Sequence, residues 1–259
     1  MLREMGLRLW LPPAPDTAAG ALPDTPAVIP AAAPAAAMPA VPSIARALPP
    51  PSAVVAAPRA APPLGAVATL DWPALRSAVA ACTACGLCQS RQQTVFGVGH
   101  ERAHCMIVGE APGEQEDAQG EPFVGESGQL LDRMLAALGL SRQPGEAARQ
   151  VYIANTLKCR PPRNRNPSPE ELAQCQPFLL RQVALVQPQV ILAMGRFAVQ
   201  SLLGSDAPLG KLRGQVHDWH GVPLVVTYHP AYLLRQPQAK ADAWDDLCRA
   251  AQLLDAAPA

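Results

Sequence analysis

The sequence predicts an α/β fold, a central, mostly parallel four-stranded sheet with helices packed on both faces, three layers in all. Two observations predict it. Four apolar runs of strand length recur along the chain, and segments with helical spacing separate them. The runs are apolar nearly throughout rather than alternating, as strands buried on both sides of a parallel sheet are. Open sheets of this kind bind ligands beyond the carboxyl ends of their strands, so function is expected in the residues that follow each run.

Taken in order, the first 69 of the 259 residues stand apart. Half of the 30 prolines, 15, fall in residues 1–68, and between positions 11 and 69 the only charged residues are Asp16, Asp24, Arg46 and Arg59. A Pro/Ala tract like this buries too little apolar surface to offset its ordering entropy, so residues 1–69 read as a disordered tether of polyproline II character. Within it, "MGLRLWL" (5–11) reads as a frayed terminus or as a short helical peptide that docks on a partner, for which a repair or replication protein is the expectation. The folded domain is expected over 70–259.

That domain opens with "DWPALRSAVAAC" (71–82), where Asp71 is placed to cap and Pro73 falls in the first turn of a short helix. The strand runs are "CMIVGEA" (105–111), "VYIANTL" (151–157), "VILAMG" (190–195) and "LVVTYHP" (224–230). The intervening helices are "SGQLLDRMLAALGL" (127–140), "SPEELAQCQPFLLRQVALV" (168–186) and "RFAVQSLLG" (196–204), and "AKADAWDDLCRAAQLLDA" (239–256) closes the chain. "GEAPGEQED", "NTLKCRPP", "GRFA" and "HPAYLLR" then follow the strands and converge on one edge.

Lys plus Arg equals Asp plus Glu at 21 each, so overall charge neither proclaims nor excludes a nucleic-acid partner. Local clustering speaks instead: "KCRPPRNR" gathers Lys158, Arg160, Arg163 and Arg165. No stretch approaches the roughly 18 consecutive apolar residues of a membrane span. The expectation is a cytoplasmic, nucleoid-associated monomer.

Seven cysteines, an odd number in a chain without an export signal, argue against a disulfide framework. Cys105 opens a buried strand and Cys248 lies on an amphipathic helix, where each serves as a small hydrophobe. Cys82, Cys85, Cys88, Cys159 and Cys175 remain. A C-x2-C pair with two distant cysteines fits a structural zinc site or an iron–sulfur cluster, and the 16-residue gap between Cys159 and Cys175 leans toward the cluster.

Four ordered blocks, "CTACGLCQSRQQTVFGVG", "MIVGEAPGEQEDAQGEPFVGESGQLL", "VYIANTLKCRPPRNRNPSPEEL" and "YHPAYLLR", make residues 75–255 resemble a family 4 uracil-DNA glycosylase, the iron–sulfur branch of that superfamily. The resemblance implies a [4Fe-4S] cluster on Cys82, Cys85, Cys159 and Cys175, with Cys88 spare, and uracil-containing DNA as the partner. It implies a base flipped out of the stack, because the glycosidic bond is unreachable inside a duplex. Phe123 becomes the ring on which uracil stacks, Asn155 the reader of its edge, and His229 the donor to its O2 as negative charge develops there. Leu233 or Leu234 would wedge into the duplex, with Arg235 and the "KCRPPRNR" cations on phosphates. Familiar uracil-DNA glycosylases carry a water-orienting Asp and a thymine-blocking Tyr where this chain has Ala111 and Gly113. Glu110 is therefore expected to position water and Glu116 to crowd the 5-position of the base.

A related branch traps its product through a His in a basic loop, but "PPRNRNPSPEE" holds none, so turnover is expected. No lysine suggests a lyase step. Two alternatives stand beside the monofunctional enzyme: a glycosylase of broader appetite that also takes hypoxanthine, and a non-catalytic iron–sulfur scaffold that binds DNA and recruits factors through its tail.

Overall fold

The computed structural model describes residues 67–257; the tether and its docking peptide, over residues 1–66, lie outside the described residues. Val67 is fully buried against the first helix and its neighbours, so the folded part takes in the last three residues read as tether. That helix, α1 (Trp72–Ala80), starts as expected: the Asp71 carboxylate accepts the N–H of Ala74 at 3.0 Å, satisfying one of the free donors of the first turn.

The remaining elements are β1 (Val98–Gly99), β2 (Cys105–Gly109), α2 (Glu114–Gln119), α3 (Glu126–Ala137), β3 (Val151–Asn155) and α4 (Pro169–Val186). After them come β4 (Val190–Met194), α5 (Arg196–Leu203), α6 (Leu209–Leu212), β5 (Val216–Trp219), β6 (Val222–Thr227), α7 (Pro230–Arg235) and α8 (Lys240–Ala256). The sheet runs β1-β3-β2-β4-β6-β5. Its four inner strands are the four expected ones and are parallel to one another, with Cys105 opposite both Val151 and Val190. The sheet is wider than expected, because β1 and β5 add antiparallel edges.

Period-2 alternation sorts the inner strands onto two cores. Met106, Val108, Tyr152, Ala154, Ile191 and Ala193 face Leu179 and Val183 of α4 and Val199 of α5. Cys105, Ile107, Val151, Ile153, Val190 and Leu192 face Leu131 and Leu135 of α3 and Leu247 of α8. These are the three layers.

The parallel strands share a direction, so their carboxyl ends deliver Glu110, Thr156, Gly195 and Tyr228 to the same edge. The longest helix, α4, is held at its start by a reciprocal pair: Ser168 Oγ accepts from Glu171 N, and Glu171 Oε2 accepts from Ser168 N at 2.9 Å. Its register matters because it carries Cys175 and Gln182. Among the described residues no helix is long and apolar enough to cross a membrane.

Candidate functional site

Beyond the strand ends lies a cleft of about 880 Å³ lined in part by Glu110, Phe123, Asn155, Arg196, His229 and Arg235. Gly109, the last residue of β2, makes its floor possible: a Cβ there would stand 2.6 Å from the Phe123 ring and 2.5 Å from Asn155 Oδ1. Phe123, Asn155 and the end of β2 therefore meet at one point.

Phe123 holds a left-handed backbone, φ +55°, which is costly for a bulky residue unless its surroundings impose it. Two features do. The main chain of Phe123 lies so close to Gly128 on α3 that a Cβ there would fall 1.7 Å from its carbonyl oxygen. From the other side, the Glu116 carboxylate accepts the N–H groups of Val124 and Gly125 at 2.9 and 3.0 Å, and that of Gly113 at 3.0 Å. Glu116 is thus a staple between two turns. Both of its oxygens accept from main chain and the residue is 8% exposed, yet it still lines the cleft, so a fixed carboxylate stands where the sequence expected the 5-position of a base to be crowded.

The Phe123 ring stacks on His229, centroids 5.3 Å apart and planes 27° from parallel. His229 is the N-cap of α7, and its Nδ1 accepts the N–H of Ala231 at 3.2 Å. A ring that accepts at Nδ1 carries its proton on Nε2, so the cleft meets a donor. Burial pushes this imidazole down to about 4, Arg235 adds to the effect, and Glu116 opposes it. The ring is neutral at physiological pH.

Asn155 is 2% exposed, and its Oδ1 has no hydrogen-bond partner. Buried polar atoms are nearly always paired, so an orphaned acceptor on a cleft wall marks a place where something else supplies the donor. Glu110 lies beside it on the main chain: its carbonyl accepts from Leu157 N at 3.1 Å and from Thr156 Oγ1. Burial raises the Glu110 carboxyl above its ordinary value, with Arg196 and Arg235 partly offsetting the rise. Ala111 packs on the α1 side of the cleft and Gly113 caps α2.

Two of the residues expected on DNA lie inside the protein instead. Lys158 is 1% exposed, with Nζ donating to Asn155 O at 2.7 Å and Gln182 Oε1 at 2.6 Å, which corrects its assignment to phosphate. Leu233 is 1% exposed and packs on Ala239 and Ala243, so it too is corrected, and Leu234, exposed on the cleft rim, stands alone as the wedge candidate. Arg163 and Arg235 are exposed. Arg165 is exposed but paired bidentately with Glu171 at 2.6 and 2.8 Å, and Arg160 donates to Asn164 at 2.8 Å. Sequence reasoning missed Arg196, which projects from "GRFA" at the end of β4, and Tyr232, exposed near Leu234.

A second, apolar pocket is lined by Cys82, Cys85, Cys88, Cys159 and Cys175 with Leu87, Arg91 and Phe178. None of the seven cysteines is in a disulfide, and Cys105 and Cys248 lie apart from this pocket on β2 and α8. Arg91 Nη1 points at Cys159 Sγ from 3.1 Å and the N–H of Lys158 at Cys175 Sγ from 3.4 Å, donors that a sulfur carrying negative charge attracts. Among the described residues no three ligand side chains converge as a single ion demands. Five thiols around one pocket are a donor set that a structural zinc or an iron–sulfur cluster could take.

A mixed sheet with four parallel central strands, a cleft at their carboxyl ends and a cysteine-lined pocket to one side define an α/β protein whose binding site lies at the carboxyl ends of its strands. The family model that matches, over residues 96–248, is that of the uracil DNA glycosylase superfamily. The chain is 40% identical to the type-4 uracil-DNA glycosylase of Archaeoglobus fulgidus over 183 residues, 68% of this chain and 89% of that one. It is 45% identical to the Thermotoga maritima type-4 enzyme over 156 residues, 60% and 78% of the two chains. Against a type-5 enzyme of Pyrobaculum aerophilum the figures are 35% over 147 residues, 52% of this chain and 64% of that one. The chain belongs to the uracil-DNA glycosylase superfamily and, within it, to the type-4 family.

Proposed function

We propose that this protein excises uracil from DNA, hydrolysing the N-glycosidic bond and leaving an abasic site, the first step of base excision repair. The observation that carries the reading is the orphaned Oδ1 of Asn155 on the wall of the cleft, beside the Phe123 and His229 rings. Uracil offers a donor at N3 flanked by two carbonyls. Asn155 Oδ1 accepts from N3–H while its amide donates to O4, and the Nε2–H of neutral His229 donates to O2. Cytosine lacks the N3 donor and carries an amino group in place of O4, so it would face donor with donor.

The bond between C1′ and N1 breaks with its electron pair going to the base, and the charge collects on O2, where the His229 donor stabilises it. Water adds to the cation-like C1′, and Glu110 orients that water and receives its proton. Phe123 supplies the stacking face. Leu234 fills the gap left by the flipped nucleotide. Arg160, Arg163, Arg196 and Arg235 are assigned to phosphates.

The cysteine pocket is read as the seat of a [4Fe-4S] cluster on Cys82, Cys85, Cys159 and Cys175, with Cys88 spare. Its role is structural, since hydrolysis moves no electrons: it ties the end of α1 to the loop and helix that carry Cys159 and Cys175. Cys159→Ala should lose the brown chromophore, the bound iron and several degrees of melting temperature together. Loss of iron with activity and melting temperature unchanged would refute the structural role.

The rate should rise with pH on its acid limb as Glu110 loses its proton. The midpoint should lie above the ordinary glutamate value of 4.5, because burial disfavours the anion. Glu110→Gln should flatten that limb. His229 should add no break near its ordinary 6.5, because its ring is held neutral down to about 4. The sign for stability is the reverse of a salt-bridged histidine's: the unfolded chain binds the proton first, so the His229 contribution is complete above 6.5 and is lost as pH falls toward 4.

The test of function is alkali scission of an oligonucleotide bearing one uracil by anaerobically purified protein, with thymine and hypoxanthine controls. Scission at uracil, without a denaturation-resistant protein–DNA adduct, is expected from a monofunctional enzyme that turns over. Scission at hypoxanthine would move the reading to the broader enzyme, and no scission by a brown, folded protein to a scaffold.

A further inference from the structure

The catalytic reading leaves one buried charged group without a task. The ammonium of Lys158 is 1% exposed, and both of its acceptors, the Asn155 carbonyl at 2.7 Å and Gln182 Oε1 at 2.6 Å, are neutral. Among the described residues no carboxylate pairs with it. A lone buried cation is costly, and a methionine of similar length would pack the same space without that cost.

Its neighbours on both sides account for its retention. Toward the cleft it grips the main chain of Asn155, whose side chain carries the orphaned acceptor. Away from the cleft it meets Gln182, fully buried on α4, which donates to Phe96 O at 2.8 Å and Tyr152 Oη at 3.1 Å. Through its own main chain it abuts the cysteine pocket, since its N–H points at Cys175 Sγ and Cys159 follows it in sequence. Were these cysteines to hold the cluster proposed above as thiolates, their charge would supply the countercharge that no carboxylate provides.

We infer that Lys158 is a positioning residue for the base reader: it clamps the Asn155 main chain from behind the cleft, and so fixes the aim of the side-chain amide. The inference rests on the excision reading above. It links the cysteine pocket to the cleft through Lys158, a residue that touches neither substrate nor phosphate. An amide that must match uracil in a fixed orientation tolerates little rotation, so loosening its anchor slows the chemical step without changing how DNA is held.

The test is a double-mutant cycle in the full chain, Lys158→Met and Asn155→Ala singly and together, read by single-turnover excision at saturating DNA. Half-saturation at two salt concentrations, iron per chain and the melting transition accompany it. Lys158→Met should slow excision by roughly tenfold to a hundredfold, the range for supporting groups behind a site. Half-saturation and its salt dependence should be unchanged. In the Asn155→Ala background the same substitution should cost less than about twofold, because the part it positions is gone. Two outcomes overturn the inference: weaker DNA binding with a shallower salt dependence, which is a phosphate contact, or a loss that multiplies in full with Asn155→Ala, which is general structure. Should Lys158→Met fail to fold or to hold iron, Gln182→Met keeps the ammonium and removes one acceptor. It should show a smaller loss that again vanishes beside Asn155→Ala, and a multiplying loss would equally overturn the inference. A wild-type protein inactive on uracil would instead sink the excision reading itself, an outcome the parent enzyme reports on its own.

Discussion

Asn155→Ala should lower the single-turnover rate of uracil excision by roughly 10³-fold, the upper end of what removal of one preorganised polar group costs. The effect should fall on the rate constant more than on DNA affinity, because the arginines proposed for phosphate lie elsewhere and the amide is proposed to meet the base only after flipping. Stability should change little or rise slightly. The residue is 2% exposed with an unpaired oxygen, so removing it relieves a burden on the folded state. Loss of activity without loss of melting temperature distinguishes a reader from a turn-capping amide, which would lose both. A variant that excised uracil within a few-fold of the parent would end the assignment.

Glu116→Ala should be the most damaging change to the cleft architecture. Three main-chain N–H groups lose one carboxylate, and the loop that forces Phe123 to φ +55° loses its staple. Hydrogen bonds to a charged group contribute about 1.5–3 kcal/mol each, and partial rehydration of these turns puts the net loss at about 3 kcal/mol. For a domain of this size that lowers the melting temperature by about 6–12 °C. Excision should fall together with stability, as Phe123 stops presenting its face. Glu116→Gln discriminates further: its carbonyl still accepts from Val124 and Gly125, but its amide faces the N–H of Gly113, so part of the loss remains. A stable Glu116→Gln protein that begins to cut at thymine would show that Glu116 guards the 5-position as well as stapling the loop.

The four inner strands and every long helix were legible because their signals are local. Continuous apolar runs, helical spacing and the Asp71 cap each follow from a few adjacent residues. The two edge strands were not. β1 is two residues long, and β5 alternates weakly with its Val216 face exposed. The turn joining β5 to β6 places His220 at φ +51° and Gly221 at φ +85°, a left-handed pair more often announced by Asn-Gly than by His-Gly.

At the site, the block resemblance located the cleft, but spacing could not say which way a side chain faces. Leu233 and Leu234 are adjacent on α7 and differ only in rotation, one turned to Ala243 and one to solvent. Lys158 reads as one more cation in a basic run, and its burial depends on Gln182, 24 residues further on. The task of Glu116 was invisible because its partners are main-chain groups, which leave no mark on residue identity.

The paired state of the basic loop bears on how the protein searches. Of the four cations in "KCRPPRNR", Lys158 is interior, Arg165 is shared with Glu171, and Arg160 lies 3.4 Å from Glu114. Arg163 alone of the four is exposed without a carboxylate partner. A loop partly neutralised by its own carboxylates displaces few counterions from a duplex, which leaves most of the proposed phosphate contact to Arg163, Arg196 and Arg235 and predicts a shallow salt dependence for binding to undamaged DNA. Residence on DNA should then depend more on the base that enters the cleft than on the loop outside it. Such a protein should let go of most of the DNA it meets and linger where a uracil has been found.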